Sequence, residues 1–263
     1  MPLTKAFLSN PIFFSHSFSS HCFTPSNLSR DLKIENCFIY VFTSWSFFSA
    51  SFYRFNMVEK FRYGNYHSYY TIRGDGSLMD PRLQRLPKRI FEGATVLDVG
   101  CNNATVTTQV AAFFDAKRVV GVDIDPVLIQ KAHKHLEFYA SRIGPRTDQC
   151  ETMLERANFY PISAVKKFSR RPLAFIAENK DEFPLNVEFF HGNILQWTPP
   201  SRCRRFDTIL AFSVVKWIHL NFGDNGLLDF FEQVSQLLRP EGTFVLELQE
   251  WKSYEKAAKK NPV

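Results

Sequence analysis

The segment Val96-Leu97-Asp98-Val99-Gly100-Cys101-Asn102-Asn103-Ala104-Thr105 constrains this chain more than any other. An apolar run reads as a buried strand, a turn of small residues follows, and a helix starts at Thr105. Roughly twenty residues on, Val119-Val120-Gly121-Val122-Asp123 reads as a second buried strand that ends on a carboxylate. Together these make the nucleotide-binding end of a Rossmann-like sheet. The turn lets a ligand approach the backbone closely, and Asp123 can accept hydrogen bonds from both hydroxyls of a ribose.

Two ligands compete for such a grip. A dinucleotide seats its pyrophosphate on the helix N-terminus, usually over G-x-G-x-x-G. Here only Gly100 is present, and Asn102 and Thr105 stand at the later glycine positions, where side chains obstruct a pyrophosphate. S-adenosylmethionine carries no phosphate and brings an ammonium and a carboxylate to the loop. Asp98 and Asn102 are the groups placed to meet them, so the turn favours the methyl donor.

The rest of the chain supplies an α/β frame. Asp80-Pro81 starts a helical stretch, and Asp125-Pro126 caps a helix that runs past Phe138. Further strands read at Val187–His191, Phe206–Phe212 and Thr243–Leu248, with a helix from Gly226 to Leu238 stopped by Pro240 and Gly242. Strands alternating with helices predict a mostly parallel sheet covered on both faces. From about 141 to 186 runs a connection too long for an ordinary link, expected to be an irregular insertion. Its Lys166-Lys167-Phe168-Ser169-Arg170-Arg171 run suits either a phosphate backbone or a solvated face.

The first 56 residues differ in kind. They hold eleven phenylalanines and only six charged residues, with no lasting helical or strand period. Asn36 to Tyr53 is uncharged but short and rich in Ser and Thr for a membrane span. A secretory leader would lie nearer the N-terminus and carry a basic cluster. This extension is expected to be disordered or non-native, with Met57 a candidate start and the domain running from 57 to 263. The five cysteines show no C-x-x-C pairing, which argues against a zinc site and a disulfide framework. No metal site is expected. The net charge of +6 permits an anionic partner without requiring one.

A second constellation follows the fourth predicted strand: Ser213-Val214-Val215-Lys216-Trp217-Ile218-His219-Leu220-Asn221. Ligands of open parallel sheets bind beyond the carboxyl ends of the strands. Lys216 offers charge for a phosphate, Trp217 a stacking face, and His219 a donor.

With Tyr63-Gly64-Asn65-Tyr66, Tyr69-Tyr70 and Arg73, and with the loop and strand tips above, this motif resembles the bicoid-interacting type of RNA methyltransferase. These enzymes cap small RNAs with a methylphosphate, and the family is named for the enzyme acting on 7SK RNA. The likeness spans about Phe61 to Tyr254. It implies a Rossmann-like class I S-adenosylmethionine-dependent methyltransferase and methyl transfer to the 5′-terminal (γ) phosphate of a small non-coding RNA. A 5′-monophosphate end is the alternative substrate, and a non-catalytic RNA-binding subunit the alternative class. By the same resemblance Gly100, Asn102, Asp123, Ile124 and Asn193 hold the donor, with Arg82 near its carboxylate. Tyr69, Arg73, Lys216 and His219 act at the phosphate, and Tyr70 and Trp217 bind the substrate. The resemblance further implies a nuclear location, with the cytoplasm as alternative, other ribonucleoprotein proteins as further partners, and no membrane. Two departures stand out. Ala104 replaces the family's usual glycine, and Val263 comes too soon after strand five for the family's closing C-terminal strands. Strand four or five is therefore expected to be an open edge.

Overall fold

The computed structural model describes residues 38–43, 63–64, 79–144, 152–173, 176–177 and 179–260, with backbone alone at 38–43 and 258–260. Among the described residues six strands form one sheet: β1 (Phe38–Thr43), β2 (Thr95–Val99), β3 (Arg118–Asp123), β4 (Val187–His191), β5 (Phe206–Ala211) and β6 (Leu238–Leu248). Their order is β1-β6-β5-β2-β3-β4, and every pairing is parallel. From β2 the chain winds outward through β3 and β4, then returns to β5 and β6 on the other side. The reversal between β2 and β5 is the topological switch point at which such sheets bind ligands.

Parallel strands are buried on both faces, so their residues alternate between two apolar layers. Val96, Val119, Leu210 and Val245 pack into one layer with Leu83, Phe91 and Val110. Leu97, Val120, Ile209 and Phe244 pack into the other with Ile218, Phe230 and Val234. The helices are α1 (Pro81–Gln84), α2 (Thr105–Phe113), α3 (Pro126–Arg142), α4 (Met153–Ala157), α5 (Ile162–Phe168), α6 (Val215–Leu237) and α7 (Trp251–Lys260). Asp80 and Asp125 cap α1 and α3 as the sequence predicts, each accepting from a backbone N–H two residues on.

Three elements differ from the sequence reading. The 141–186 connection holds α4 and α5, the first closed by a capping box in which Thr152 and Glu155 bond reciprocally. Helix α6 begins at Val215 rather than Gly226, because a single non-helical residue, Gly223, joins two helical pieces across a kink. The composition of the first 56 residues predicts no regular element, yet Phe38–Thr43 pairs with β6 in the register Phe38↔Thr243 to Thr43↔Leu248. This corrects the expectation of an open edge at strand five, since β1 occupies the outer side of β6. The run Phe-Ile-Tyr-Val-Phe-Thr is aromatic and β-branched, which suits a pleated surface, and β6 offers it unpaired N–H and C=O groups.

Candidate functional site

At the carboxyl end of β2 and β3 the chain builds a tightly stitched loop. Gly100 takes φ +69°, and a Cβ there would lie 3.1 Å from Val214 Cγ2, so both backbone and space call for glycine. Asn102 and Ala104 are left-handed as well, at φ 52° and 67°. Ala104 thus keeps the turn, at a cost of about 1–2 kcal/mol for an L-residue in that region.

Every backbone N–H from Gly100 to Ala104 has a partner. Gly100 and Cys101 donate to Val122 O at 2.8 and 3.1 Å, and Ala104 donates to Cys101 O at 2.8 Å. Asn102 N–H donates to Asp123 Oδ2 at 2.8 Å, and Asn103 N–H to Asn102 Oδ1 at 2.8 Å. Asp123 also accepts from Asp125 N–H at 2.9 Å. The carboxylate expected to grip a ribose therefore also ties the loop to the tip of β3. Four lone-pair sites on a carboxylate leave room for both tasks.

Two acids lie buried at this end of the sheet. Asp98 is 2% exposed and accepts from Thr107 Oγ1 at 2.6 Å. Burial pushes its carboxyl up to about 7, against the opposing pull of Thr107 and Arg82. Burial pushes Asp123 up to about 6, although two backbone N–H groups favour its charged form. This donor set discriminates between the competing ligands. A pyrophosphate would meet engaged N–H groups and two acids. The ammonium and sulfonium of S-adenosylmethionine would meet two buried carboxyls, for which a cation is a favourable partner. The residues present fit the methyl donor and oppose the dinucleotide.

Ile124 lies just past β3, where His191 Nε2 sits 3.1 Å from its carbonyl oxygen. Asn193 Oδ1 accepts from Leu195 N–H at 3.2 Å, which shapes the turn after β4. Arg82 reaches the same end of the sheet through a buried ionic network. Its Nε and Nη2 bond the two carboxylate oxygens of Asp80 at 2.8 and 2.7 Å, and its Nη1 bonds Glu247 Oε2 at 2.8 Å. Ser213 Oγ donates to that same Glu247 oxygen at 2.5 Å, and the guanidinium lies over the Phe212 ring. Sequence reasoning missed Asp80, Glu247 and Thr107 as site residues. Glu247 lies 165 residues from Arg82, a separation at which no local pattern signals contact.

Across the switch point, β5 delivers the second constellation. Lys216 and Trp217 are each 8% exposed in the first turn of α6. The Lys216 ammonium donates to Ser253 Oγ at 2.7 Å and lies 4.7 Å from the Trp217 ring centroid. Gly64, at φ +70°, lies against the same indole, and a Cβ there would fall 2.0 Å from Trp217 Nε1. The absence of a side chain at Gly64 is what lets this backbone pack on Trp217. His219 Nε2 contacts Asp224 Oδ1 at 2.8 Å, and its ring meets Tyr254 edge to face at 5.5 Å. Tyr69, Tyr70 and Arg73 lie outside the described residues. Among the described residues no group of three or more His, Cys, Asp or Glu could hold a metal ion, and no helix is long and apolar enough to cross a membrane.

Residues 90–143 match a methyltransferase domain, and residues 206–263 match the family of Bicoid-interacting protein 3 (Bin3). A probable RNA methyltransferase of Arabidopsis thaliana is 39% identical over 202 residues, which cover 75% of this chain and 63% of that protein. Over these residues the chain is similar to the Bicoid-interacting protein 3 family. Its relatives include the human 7SK snRNA methylphosphate capping enzyme, 36% identical over 75% of this chain and 31% of that protein. Another is the U6 snRNA methylphosphate capping enzyme Amus of Drosophila melanogaster, 32% identical over 76% of this chain and 57% of that protein. The chain therefore spans less than two thirds of the length of each of these relatives.

Proposed function

We propose that this chain is an S-adenosylmethionine-dependent methyltransferase acting on the 5′-terminal phosphate of a small non-coding RNA, with a nuclear snRNA as the substrate its relatives' names suggest. The observation that carries the reading is one sheet end bearing two unlike halves. Buried acids and a fully engaged loop at β2 and β3 suit a cationic donor, and a buried lysine backed by an indole at β5 suits an anionic acceptor.

S-adenosylmethionine, when bound, supplies an electrophilic methyl group. Asp98 and Asn102 are assigned to its amino-acid end, Asp123 to its ribose, and Gly100, Ile124 and Asn193 to the walls around it. Arg82, held between Asp80 and Glu247, fixes the relation of α1 to β6 beside that end. A terminal phosphate has a second pKa of about 6 and is already largely dianionic near neutral pH. It needs no protein base, and the task left to side chains is to hold and orient it. Lys216 is assigned that role, with Arg73 and Tyr69 joining it by family resemblance. Trp217 and Tyr70 are assigned to the RNA end. His219 is assigned to a phosphate oxygen, and its contact with Asp224 fixes the ring.

Labelled donor incubated with 5′-triphosphate, 5′-monophosphate and 5′-hydroxyl RNA tests this. Methylation of either phosphorylated RNA and not of the hydroxyl form is expected, and the phosphorylated form preferred identifies the substrate. Lys216→Ala is expected to lower turnover by about a hundredfold, the scale of losing one charge-stabilising donor, with donor affinity unchanged by calorimetry. RNA that binds without product would instead make the chain a non-catalytic RNA-binding subunit.

A further inference from the structure

The first turn of α7 lies against the acceptor half of the site, touching both Lys216 and His219. Ser253 accepts from the Lys216 ammonium at 2.7 Å, so this turn is fixed to the side chain assigned to the phosphate. Tyr254 packs on His219, and Trp251 stacks on Tyr254 at 5.3 Å with an interplanar angle of 18°. Trp251 is nevertheless 68% exposed. An indole so placed has one face backed by a ring and the other turned to solvent. The first two turns of α7 carry exposed Lys252 and Lys256 against one acid, Glu255.

An exposed, braced aromatic beside a phosphate-binding cation is the arrangement by which proteins hold the end of a single strand. A base stacks on any such face without sequence preference, and neighbouring lysines attract the strand that follows. We propose that Trp251 is the stacking platform for the base of the RNA's 5′-terminal nucleotide. The phosphate is gripped by Lys216, and Ser253 sets the distance between grip and platform. This rests on the proposed acceptor site and extends it from a phosphate to a nucleotide. The commitment to RNA follows from continuity with Lys216 and from the positive charge of the helix.

The test uses the full chain and short 5′-phosphorylated RNAs that carry either a normal or an abasic first nucleotide. Wild-type protein is expected to bind the abasic RNA about tenfold more weakly. Trp251→Ala should bind both equally, at the weaker level, and Trp251→Phe should recover part of the difference. Donor affinity should stay unchanged in both variants, which also reports that they fold. An abasic penalty that persists undiminished in Trp251→Ala overturns the proposal, as does the absence of any penalty in wild-type protein. A third RNA with a 5′-hydroxyl keeps the two levels apart. If it binds like the phosphorylated RNA, the phosphate grip fails, whereas the base-dependent difference reports on Trp251 alone.

Discussion

Acidification from pH 8 to pH 6 should weaken S-adenosylmethionine binding, and Asp98 should be the cause. Its carboxyl titrates near 7 because burial disfavours the charge. A cation placed beside it compensates that burial and returns the group toward its ordinary range near 4. Binding then requires the ionised form, so a proton leaves wherever the free protein still holds one. For a shift from about 7 to about 4, affinity at pH 8 exceeds that at pH 6 by about tenfold. Release falls from nearly one proton at pH 6 to about a tenth of one at pH 8. Asp123, which titrates near 6, adds at most about twofold over the same interval. The stability of the free protein moves oppositely. A carboxyl whose folded pKa is raised stabilises the fold at low pH, and that contribution is lost as pH rises through about 7. Calorimetry in buffers of different ionisation enthalpy measures both affinity and protons. In Asp98→Asn the tenfold dependence should shrink to the residual twofold. An unchanged slope in that variant, or binding with no proton released at pH 6, would show that the donor's charge does not face this acid.

The remaining predictions concern stability. Ala104→Gly should change stability by less than about 1 kcal/mol, because relief of the left-handed backbone offsets the loss of a buried methyl. Ala104→Val should cost about 3 kcal/mol or more, since a branched side chain meets both the strained backbone and the packed site. Denaturant midpoints distinguish the two, and a tolerated valine would refute the loop geometry. Glu247→Gln should cost about 3 kcal/mol by breaking a buried ion pair while Arg82 stays charged. A loss under about 1 kcal/mol would mean the network is solvated in solution. His135 is half-buried, its Nε2 is enclosed without a hydrogen-bond partner, and desolvation lowers its pKa to about 4. A depressed histidine pKa weakens the fold as pH falls from about 6.5 to 4, here by up to about 3 kcal/mol. His135→Leu should flatten that limb of the stability profile, and an unaltered limb would place the acid sensitivity elsewhere.

The centre of the sheet was legible because its signals are local. The strand, turn and helix at Val96–Phe113 and the acid at the end of β3 follow from apolar runs and turn chemistry within a short window. The caps at Asp80 and Asp125 were equally readable, since Asp-Pro fixes both the cap and the first helical residue. Lys216 and Trp217 could be placed at a strand tip by topology alone. The partners of these residues could not. Glu247 on Arg82, Ser253 on Lys216 and Gly64 on Trp217 are contacts between distant segments, and each depends on how elements pack. The sequence marks Asp123 only as a ligand-binding acid, whereas its bond to Asn102 N–H gives it a structural task as well. Gly223 hid the start of α6, because a kinked helix interrupts the apolar period from which helices are read.

The pairing of β1 with β6 joins the two ends of the described chain. A ribosome releases the first of these strands long before the second exists. Until then Phe38–Thr43 has no sheet to join, and a run of that composition is prone to pair with other nascent chains. Such distant pairings also form slowly, because so much intervening chain must order first. The edge of this sheet is therefore the last part of it to close during synthesis.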